Sequence, residues 1–307
     1  MKPYDAIRAR LDRGDLVVLD GAIGTEILRR DLSWADHQVL AFPDKIRSIH
    51  EDYLRAGADV LSTNTFQLAR RCFASHFRDH AHMRHVGAPG LDRKADTLLA
   101  AAVNLAKEAR SRVGRPAAIA GAVTTLEWCF RPDLAPSPEE MREEYREIMT
   151  TMASAGADLI LLETVNSIAE AKVGLEAARS AGLPCWVGFV CDEKGRLFTG
   201  ETLAEAERAL APGKPDAILL NCAPPADAAA GLRELRAARK GPCGIYPHIG
   251  RFDPPEWLFT EEFPPDRYLD EARRWREMGA AVIGGCCGTS PDHIARLAGG
   301  LAPKKTS

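Results

Sequence analysis

The segment "GADLILLETVNSIAEAKVGLEAARSAG", residues 156–182, places a strand and a helix in direct succession. Its first part, Asp158–Thr164, is a nearly continuous apolar run, which is typical of a parallel strand covered by helices. Its second part begins at Ser167, has Glu170 at the spacing of a capping box, and ends at a glycine. The segment therefore predicts one complete βα unit.

Similar units recur along the chain. The eight candidate strands are Leu16–Gly21, Asp59–Phe66, Ala117–Val123, Asp158–Thr164, Cys185–Val190, Asp216–Cys222, Cys243–Ile249 and Ala280–Cys287. Helix-compatible segments separate them. One begins at Ser137, has Pro138 at its first position and ends at Gly156, and another begins at Ser290 after the last strand.

Eight such units in 307 residues predict an α/β protein with a (β/α)8 TIM barrel, a single domain over residues 1–307. Barrels of this kind typically need about 250 residues. A doubly wound open sheet is the alternative, and we disfavour it because no GxGxxG motif follows the first strand.

The composition excludes several classes of protein. Hydrophobic residues make up 46% of the chain and charged residues 27%, which is the balance of a soluble globular protein. The net charge is -3 and the only basic run is the terminal "PKKTS", so we expect no nucleic-acid partner. No apolar run approaches the roughly 18–20 residues of a membrane span, and the N-terminus lacks a secretory signal. We therefore expect a cytoplasmic protein without membrane contact.

Polar residues collect at the predicted strand ends. They are Asp20, Asn64, Thr65, Glu163, Thr164, Asn221, Cys222, His248, Cys286 and Cys287. In a parallel barrel these ends converge on the C-terminal face, where barrel enzymes carry their active sites. Two long connections, residues 67–96 and 250–266, follow strands and belong to the same face. The sequence therefore predicts a functional site there.

Three of the eight cysteines stand out at that face. The chain has no CxxC pair, and a cytosolic protein of this size rarely uses a disulfide framework, so most cysteines are expected in the core. Cys222, Cys286 and Cys287 could instead supply three thiolates to Zn²⁺ and leave one tetrahedral position open, as in catalytic zinc sites.

Neighbouring residues of a regular strand point to opposite faces, which opposes a shared ion for Cys286 and Cys287. Gly284, Gly285 and Gly288 answer this objection, since glycine permits a bulged or left-handed backbone. Two buried apolar cysteines, or a strained vicinal disulfide, are the competing interpretations.

Several stretches together resemble the zinc-dependent homocysteine S-methyltransferase family: "LDGAIGTEILRR", "AGADVLSTNTF", "GADLILLETVNSIAEAK", "ILLNC" and "GGCCGTSPDHIARL". The resemblance extends from about Leu16 to about Leu297. It implies a (β/α)8 barrel that transfers a methyl group from a small onium donor to L-homocysteine, giving methionine. The donors would be S-methylmethionine, S-adenosylmethionine or betaine.

The resemblance also implies roles for individual residues. Cys222, Cys286 and Cys287 would bind Zn²⁺, and homocysteine would take the fourth position as a thiolate. Asp20 and Glu163 would face its ammonium group, a charge-assisted pairing. The remaining acceptor-side candidates are the backbone N–H groups of Gly21, Ala22 and Ile23, and the side chains of Thr65 and Thr164.

The donor side is less defined by the sequence. An onium donor favours an aromatic cage, for which the candidates are Phe66, Trp128, Phe189, Tyr246 and Trp257, all equally explicable as packing. The chain departs from the family in "YPHIG", where His248 replaces the usual asparagine, and in "GAVTTLEW", where Gly-Pro is common. A different thiol acceptor, a methyl group from a separate corrinoid protein, or a non-catalytic zinc-binding barrel therefore remain alternatives.

The histidines of residues 75–87, which are His76, His80, His82 and His85, could suggest a second metal site. A solvated surface is the favoured interpretation, because no carboxylate or cysteine spacing completes a site with them. His248 is open to two interpretations, a donor-binding group or a structural polar residue. The expected partners are small-molecule substrates, and the sequence leaves open whether the chain forms a homo-oligomer.

Overall fold

The computed structural model describes residues 2–33, 38–74, 90–253, 256–258 and 263–301, with only the backbone described at 92, 251–253 and 256–258. The strands are Val17–Val18 (β1), Val60–Ser62 (β2), Ala118–Val123 (β3), Leu159–Val165 (β4), Cys185–Phe189 (β5), Ala217–Asn221 (β6), Cys243–Tyr246 (β7), Arg251–Asp253 (β8), Glu256–Leu258 (β9) and Val282–Ile283 (β10).

The helices of the same residues surround this sheet. They are Pro3–Asp12 (α1), Ile23–Arg29 (α2), Pro43–Ala56 (α3), Arg70–Ala74 (α4), Lys94–Val113 (α5), Pro138–Ala155 (α6), Ile168–Ser180 (α7), Leu203–Leu210 (α8), Pro225–Ala238 (α9), Pro265–Glu277 (α10) and Pro291–Gly300 (α11). Short 3₁₀ turns occupy Leu91–Arg93, Pro132–Leu134 and Ala211–Gly213. Among these helices, none combines the length and apolar character needed to cross a membrane.

Eight strands form one parallel sheet in the order β1-β10-β7-β6-β5-β4-β3-β2. A parallel bridge between Leu19 and Val60 joins the two ends of this order, and the Asp20 N–H donates to the Val60 carbonyl at 3.1 Å. The predicted (β/α)8 barrel is therefore confirmed. All eight predicted strands are present, although β1 and β10 have only two residues each.

The interior of the barrel is filled by side chains and closed from below by α1. Tyr4, Ile7 and Leu11 of this helix belong to the same apolar cluster as the inward residues of the strands. The Trp186 indole donates to the Tyr4 hydroxyl at 2.9 Å. Trp186 supplies bulk in a cluster that β3 fills only with small alanines. The sequence did not predict this plug.

The N-terminal ends of three strands repeat one contact. Asp59, Asp158 and Asp216 each accept a hydrogen bond at 2.9 Å from a backbone N–H of a neighbouring strand. Each carboxylate also pairs with at least one arginine. These contacts tie strands together on the face opposite the predicted site.

The helices begin at the predicted residues, but the expected cap hydrogen bonds are only partly formed. Ser137 forms a full capping box with Glu140. Ser167 caps α7 by accepting the Glu170 N–H at 3.2 Å, but the Glu170 carboxylate accepts from the Leu126 N–H and the Tyr145 hydroxyl. The capping box predicted at Ser167 is therefore only half formed, because a tertiary contact takes the glutamate.

The two long connections lie at the C-terminal face, as expected. The first contains α4, and its histidines His76, His80, His82 and His85 lie outside the described residues, so their solvated surface stays a prediction. The second contains β8 and β9, which pair as an antiparallel ribbon.

Candidate active site

The adjacent cysteines lie in a tight turn rather than on a strand. The Thr289 N–H donates to the Cys286 carbonyl at 3.1 Å, which closes a four-residue turn, and Gly288 has a φ of 89°. A turn with a left-handed third residue requires glycine or asparagine there. Because Cys286 and Cys287 occupy the first two positions of this turn, the alternation of a strand does not apply to them.

The three glycines around the pair act differently from one another. Only Gly288 is left-handed, while Gly284 and Gly285 are required for close packing. A Cβ on Gly285 would lie 2.4 Å from the Thr289 Oγ1, and one on Gly284 would lie 2.7 Å from the Leu19 Cβ. Of the three glycines for which we expected a bulged or left-handed backbone, only Gly288 is therefore left-handed.

Cys222 completes the cluster from the end of β6. Its Sγ lies 3.0 Å from the Cys286 Sγ, and the Cys286 Sγ lies 4.0 Å from that of Cys287. All three sulfurs lie within 4.8 Å of one another. With Zn–S bonds of about 2.3 Å, tetrahedral ligands lie roughly 3.8 Å apart, so the three thiols suit a zinc ion. Cys222 itself has a φ of 52°, an uncommon conformation for a residue other than glycine.

The thiols already favour negative charge at one sulfur. Hydrogen bonds from Cys222 and then Cys286 hold the pKa of Cys287 well below its ordinary value. The same contacts with Cys286 and Cys287 raise the pKa of Cys222. Cys287 therefore favours the thiolate, the form in which cysteine binds metals, at the expense of its two neighbours, since the pKa of Cys286 is also raised.

A cavity of about 230 Å³ opens beside the cysteines at the C-terminal end of the barrel. Of the residues that the sequence predicted, it brings together Asp20, Gly21, Ala22, Ile23, Thr65, Phe66, Glu163, Thr164, Tyr246, Cys222, Cys286 and Cys287. Leu28 and Leu161 add apolar lining. The cavity therefore joins a metal-binding cluster to two carboxylates and an apolar wall.

Asp20 lines this cavity and also has a structural contact. Its two oxygens accept from the Ser62 N–H at 2.8 Å and the Ser62 hydroxyl at 2.9 Å. Burial raises the pKa of this carboxyl well above its ordinary value. Asp20 therefore combines a hydrogen-bond role between strand ends with a place on the cavity wall.

Glu163 reaches the cavity from β4. The Tyr246 hydroxyl donates to one of its oxygens at 3.2 Å, and burial raises the pKa of Glu163 to about 7. The next residue, Thr164, has a φ of 59° and hydrogen-bonds the Asn221 amide. A partly buried carboxylate with one neutral hydrogen-bond donor is a good partner for a substrate cation.

The start of α2 forms the wall opposite these strands. Ile23 is the first residue of the helix, where N–H groups lack partners within the helix. The Ala22 N–H donates instead to the Thr289 Oγ1 at 3.2 Å. Of the three backbone donors that we expected to face a carboxylate, Ala22 is therefore already bound to the cysteine turn.

The predicted aromatic cage is not assembled by the described residues. Phe66 and Tyr246 line the cavity, whereas Phe189 is fully buried between sheet and helices and Trp128 is 66% exposed outside the cavity. The Phe189 side chain points outward on β5 and does not face the cavity, and Trp128 lies in an exposed loop. Donor-side roles for Phe66, Trp128 and Tyr246 stay predictions. The side chain of Trp257 lies outside the described residues.

His248 lies behind the cysteines rather than on the cavity wall. Its N–H donates to the Ala223 carbonyl at 3.2 Å, and its ring is in hydrogen-bond contact with the Cys222 backbone. Burial lowers the pKa of this imidazole. The contacts agree with the structural interpretation of His248.

Sequence reasoning missed the residues that support the cysteine turn. The Thr25 Oγ1 accepts the Gly288 N–H at 2.9 Å, and Arg29 donates to the Gly288 carbonyl at 3.0 Å. Thr289 bonds both its own turn and α2. The only available signal was that these residues belong to the same two motifs as Asp20 and the cysteines.

Known proteins share this sequence and this fold. The family model described as homocysteine S-methyltransferase matches residues 17–301. Homocysteine S-methyltransferase YbgG of Bacillus subtilis is 29% identical, with 97% of this chain and 98% of the relative aligned. Homocysteine S-methyltransferase of Escherichia coli is also 29% identical, over 97% of this chain and 99% of the relative.

A solved structure gives the same result. The metallated form of the homocysteine methyltransferase MmuM from Escherichia coli superimposes with a TM-score of 0.78 at 27% identity. The alignment covers 95% of this chain and 99% of that one. This chain therefore belongs to the homocysteine S-methyltransferase family and is a methyl-transferring enzyme.

Proposed function

We propose that the enzyme uses zinc, held by Cys222, Cys286 and Cys287, to transfer a methyl group from a small onium donor to L-homocysteine. The observation that carries the proposal is the position of the three sulfurs, within 4.8 Å of one another on the wall of a cavity that also contains Asp20 and Glu163. A thiol-activating group and two partners for an ammonium group thus face one space.

The cysteine cluster suits zinc better than the other common metals. Three thiolates favour soft or borderline ions, and calcium, magnesium and manganese prefer oxygen ligands. Bound zinc would supply one open position, at which coordination lowers the pKa of a substrate thiol. The metallated form of the E. coli relative supports a metal in this family without identifying it.

The protein's own residues would bind the amino acid end of homocysteine. Glu163 and Asp20 would pair with the ammonium group, and the free backbone donors at the start of α2 would bind the carboxylate. Thr65 and Thr164 line the same space. These contacts would fix the direction of the substrate sulfur toward the cysteines.

Methyl transfer then needs alignment rather than a covalent protein intermediate. The homocysteine sulfur forms a new S–C bond as the bond between the methyl carbon and the donor's sulfur or nitrogen breaks. The bonding electron pair leaves with the donor, which becomes a neutral sulfide or amine. The apolar wall that includes Leu28 and Phe66 would hold the donor in line with the sulfur.

A donor screen on zinc-loaded protein tests this proposal. We expect methionine from homocysteine with at least one of S-methylmethionine, S-adenosylmethionine and betaine. Cys286→Ala should lose both zinc and activity, whereas Cys243→Ala, at a buried cysteine on β7 away from the cluster, should keep its zinc. No methionine with any donor would redirect the search to other thiols or a corrinoid-borne methyl group, and a metal-loaded, active Cys286→Ala enzyme would refute the ligand assignment.

A further inference from the structure

We propose that Asn221 is a positioning residue for Glu163, because it holds a strained bulge of β4 from which the Glu163 carboxylate enters the cavity. The inference rests on the proposed function, in which Glu163 binds the ammonium group of the acceptor. Asn221 would serve that contact without touching the substrate.

The bulge is visible in the pairing of β4 with β5. Leu162 pairs with Val187 and Val165 pairs with Phe189, so two residues of β4 oppose Gly188 alone. A bulge of this kind inserts one residue, bends the strand and changes the direction of a side chain. The two inserted positions are Glu163 and Thr164, which places the irregularity at the carboxylate itself.

The backbone at Thr164 requires external support. Its φ of 59° lies in the left-handed region, where a β-branched residue is a genuine outlier. Such a conformation persists only when surrounding contacts impose it. The bulge therefore needs a partner that favours it over regular extended backbone.

Asn221 supplies that partner with both ends of its amide. Its Oδ1 accepts the Thr164 N–H at 3.1 Å, and its Nδ2 donates to the Thr164 Oγ1 at 3.0 Å. The side chain is fully buried, so water does not compete for these bonds. A regular strand at Thr164 would leave a buried amide unsatisfied, which is costly.

Gly188 provides the space for this arrangement. A Cβ at this position would lie 2.9 Å from the Asn221 Oδ1 and 2.8 Å from the Tyr246 Oη. Tyr246 in turn donates to Glu163. Asn221 thus fixes the backbone just after Glu163, while Tyr246 holds the Glu163 carboxylate. Both side chains pass close to Gly188, where a larger residue would collide with them.

The first test is the Asn221→Ala variant of the zinc-loaded enzyme. We expect the KM for homocysteine to rise about 10-fold or more while kcat changes by less than about threefold, because the ammonium contact is the same in ground state and transition state. Zinc content should remain that of the parent enzyme. The proposal would be overturned if Asn221→Ala kept the parent KM at full zinc content. It would also be overturned if the variant lost zinc and this loss caused the raised KM.

The second test uses Thr164→Gly, since glycine adopts the left-handed backbone without strain. This variant also removes the Thr164 side chain from the cavity, so its own KM for homocysteine serves as the reference. Adding Asn221→Ala to it should raise the KM by less than about threefold, because the backbone no longer needs the amide. If Asn221→Ala does not fold, this comparison decides: a KM equal to that of Thr164→Gly supports the proposal, and a KM raised by about a further 10-fold overturns it.

Gly188→Ala gives an independent test, with Gly299→Ala as the matched control because the space around that glycine is open. We expect a raised KM for homocysteine only in Gly188→Ala, and equal KM values in the two variants would contradict the arrangement. Crystal structures of the parent and Asn221→Ala enzymes separate this proposal from the proposed function. If homocysteine is not the acceptor, Thr164 should still leave the left-handed region in the variant, and Thr164 unchanged would refute the role of Asn221.

Discussion

Glu163 is the residue whose ionisation the proposed function connects most directly to substrate binding. Burial raises its pKa to about 7, the Tyr246 hydrogen bond lowers it, and a nearby Cys287 thiolate raises it. Three thiolates with one Zn²⁺ carry a single net negative charge, the same as that thiolate alone. The zinc-loaded site should therefore leave Glu163 titrating close to neutrality.

The expected pH dependence follows from this pKa. Below about pH 7 Glu163 takes up a proton and loses its attraction for an ammonium group, so kcat/KM for homocysteine should fall as the pH decreases. Glu163→Gln should lose this dependence and raise KM by about 10- to 100-fold, since a hydrogen bond between charged groups contributes roughly 1.5–3 kcal/mol. Exposed Glu139→Gln is the control, measured by steady-state kinetics from pH 6 to 8. A pH profile shared by all three proteins would show that another group is responsible.

At the scale of elements, α2 connects the two halves of the site. One side of its first turn lines the cavity, and its Thr25 and Arg29 side chains contact the turn that carries Cys286 and Cys287. Arg29 is itself paired with Glu26. The helix therefore fixes the cysteine turn relative to the space for the amino acid.

Removing one of these supports should weaken the metal site without removing a ligand. Thr25→Val deletes the acceptor of the Gly288 N–H, and loss of an outer contact of this kind typically lowers metal affinity by about 10- to 100-fold. Competition with a zinc chelator measures the change, and Thr150→Val on the exposed face of α6 is the matched control. Equal zinc affinity in both variants would mean that the turn holds its shape without α2.

At the scale of the whole molecule, stability and function occupy opposite ends of the barrel. The N-terminal ends of the strands carry paired aspartates and the α1 plug, while the C-terminal ends carry left-handed residues and packed thiols. Strained or polar groups at the C-terminal end lower the free energy of unfolding. The packed core between the two ends offsets this loss.

His50 on α3 is a stability liability in the outer core. It is fully buried, burial lowers its pKa to about 4, and neither ring nitrogen has a hydrogen-bond partner among the described residues. Between pH 6.5 and about 4, His50 is protonated in the unfolded chain but stays neutral in the folded chain. The free energy of unfolding therefore falls as the pH decreases. His50→Leu should therefore gain about 2 kcal/mol over the parent protein between pH 7.5 and 5.

Urea unfolding of both proteins across this range measures the difference. Zinc release at low pH affects parent and variant alike, so it cancels in the comparison. A constant difference in unfolding free energy between them would show that His50 does not titrate in this window.

The barrel, and the meeting of Cys222, Cys286 and Cys287 at one of its faces, could be predicted from the sequence alone. Continuous apolar runs with capped helices between them are local signals, and parallel strands bring their C-terminal ends together whatever their side chains. The grouping of Asp20, Glu163 and the three cysteines could be predicted for that reason. Their motifs added the resemblance to a family but no geometry.

How those residues are held could be seen only in the folded barrel. The left-handed backbone of Cys222 and Thr164, the diversion of Glu170 from its cap, and the removal of Phe189 from the donor side all depend on partners far away in the chain. In the sequence, Asn221 is only one of several polar residues at strand ends. Its proposed role becomes visible in the structure, where its Oδ1 lies 3.1 Å from the Thr164 backbone nitrogen. Local propensity cannot encode such contacts, because their energy comes from buried hydrogen bonds and packing that exist only after the barrel has closed.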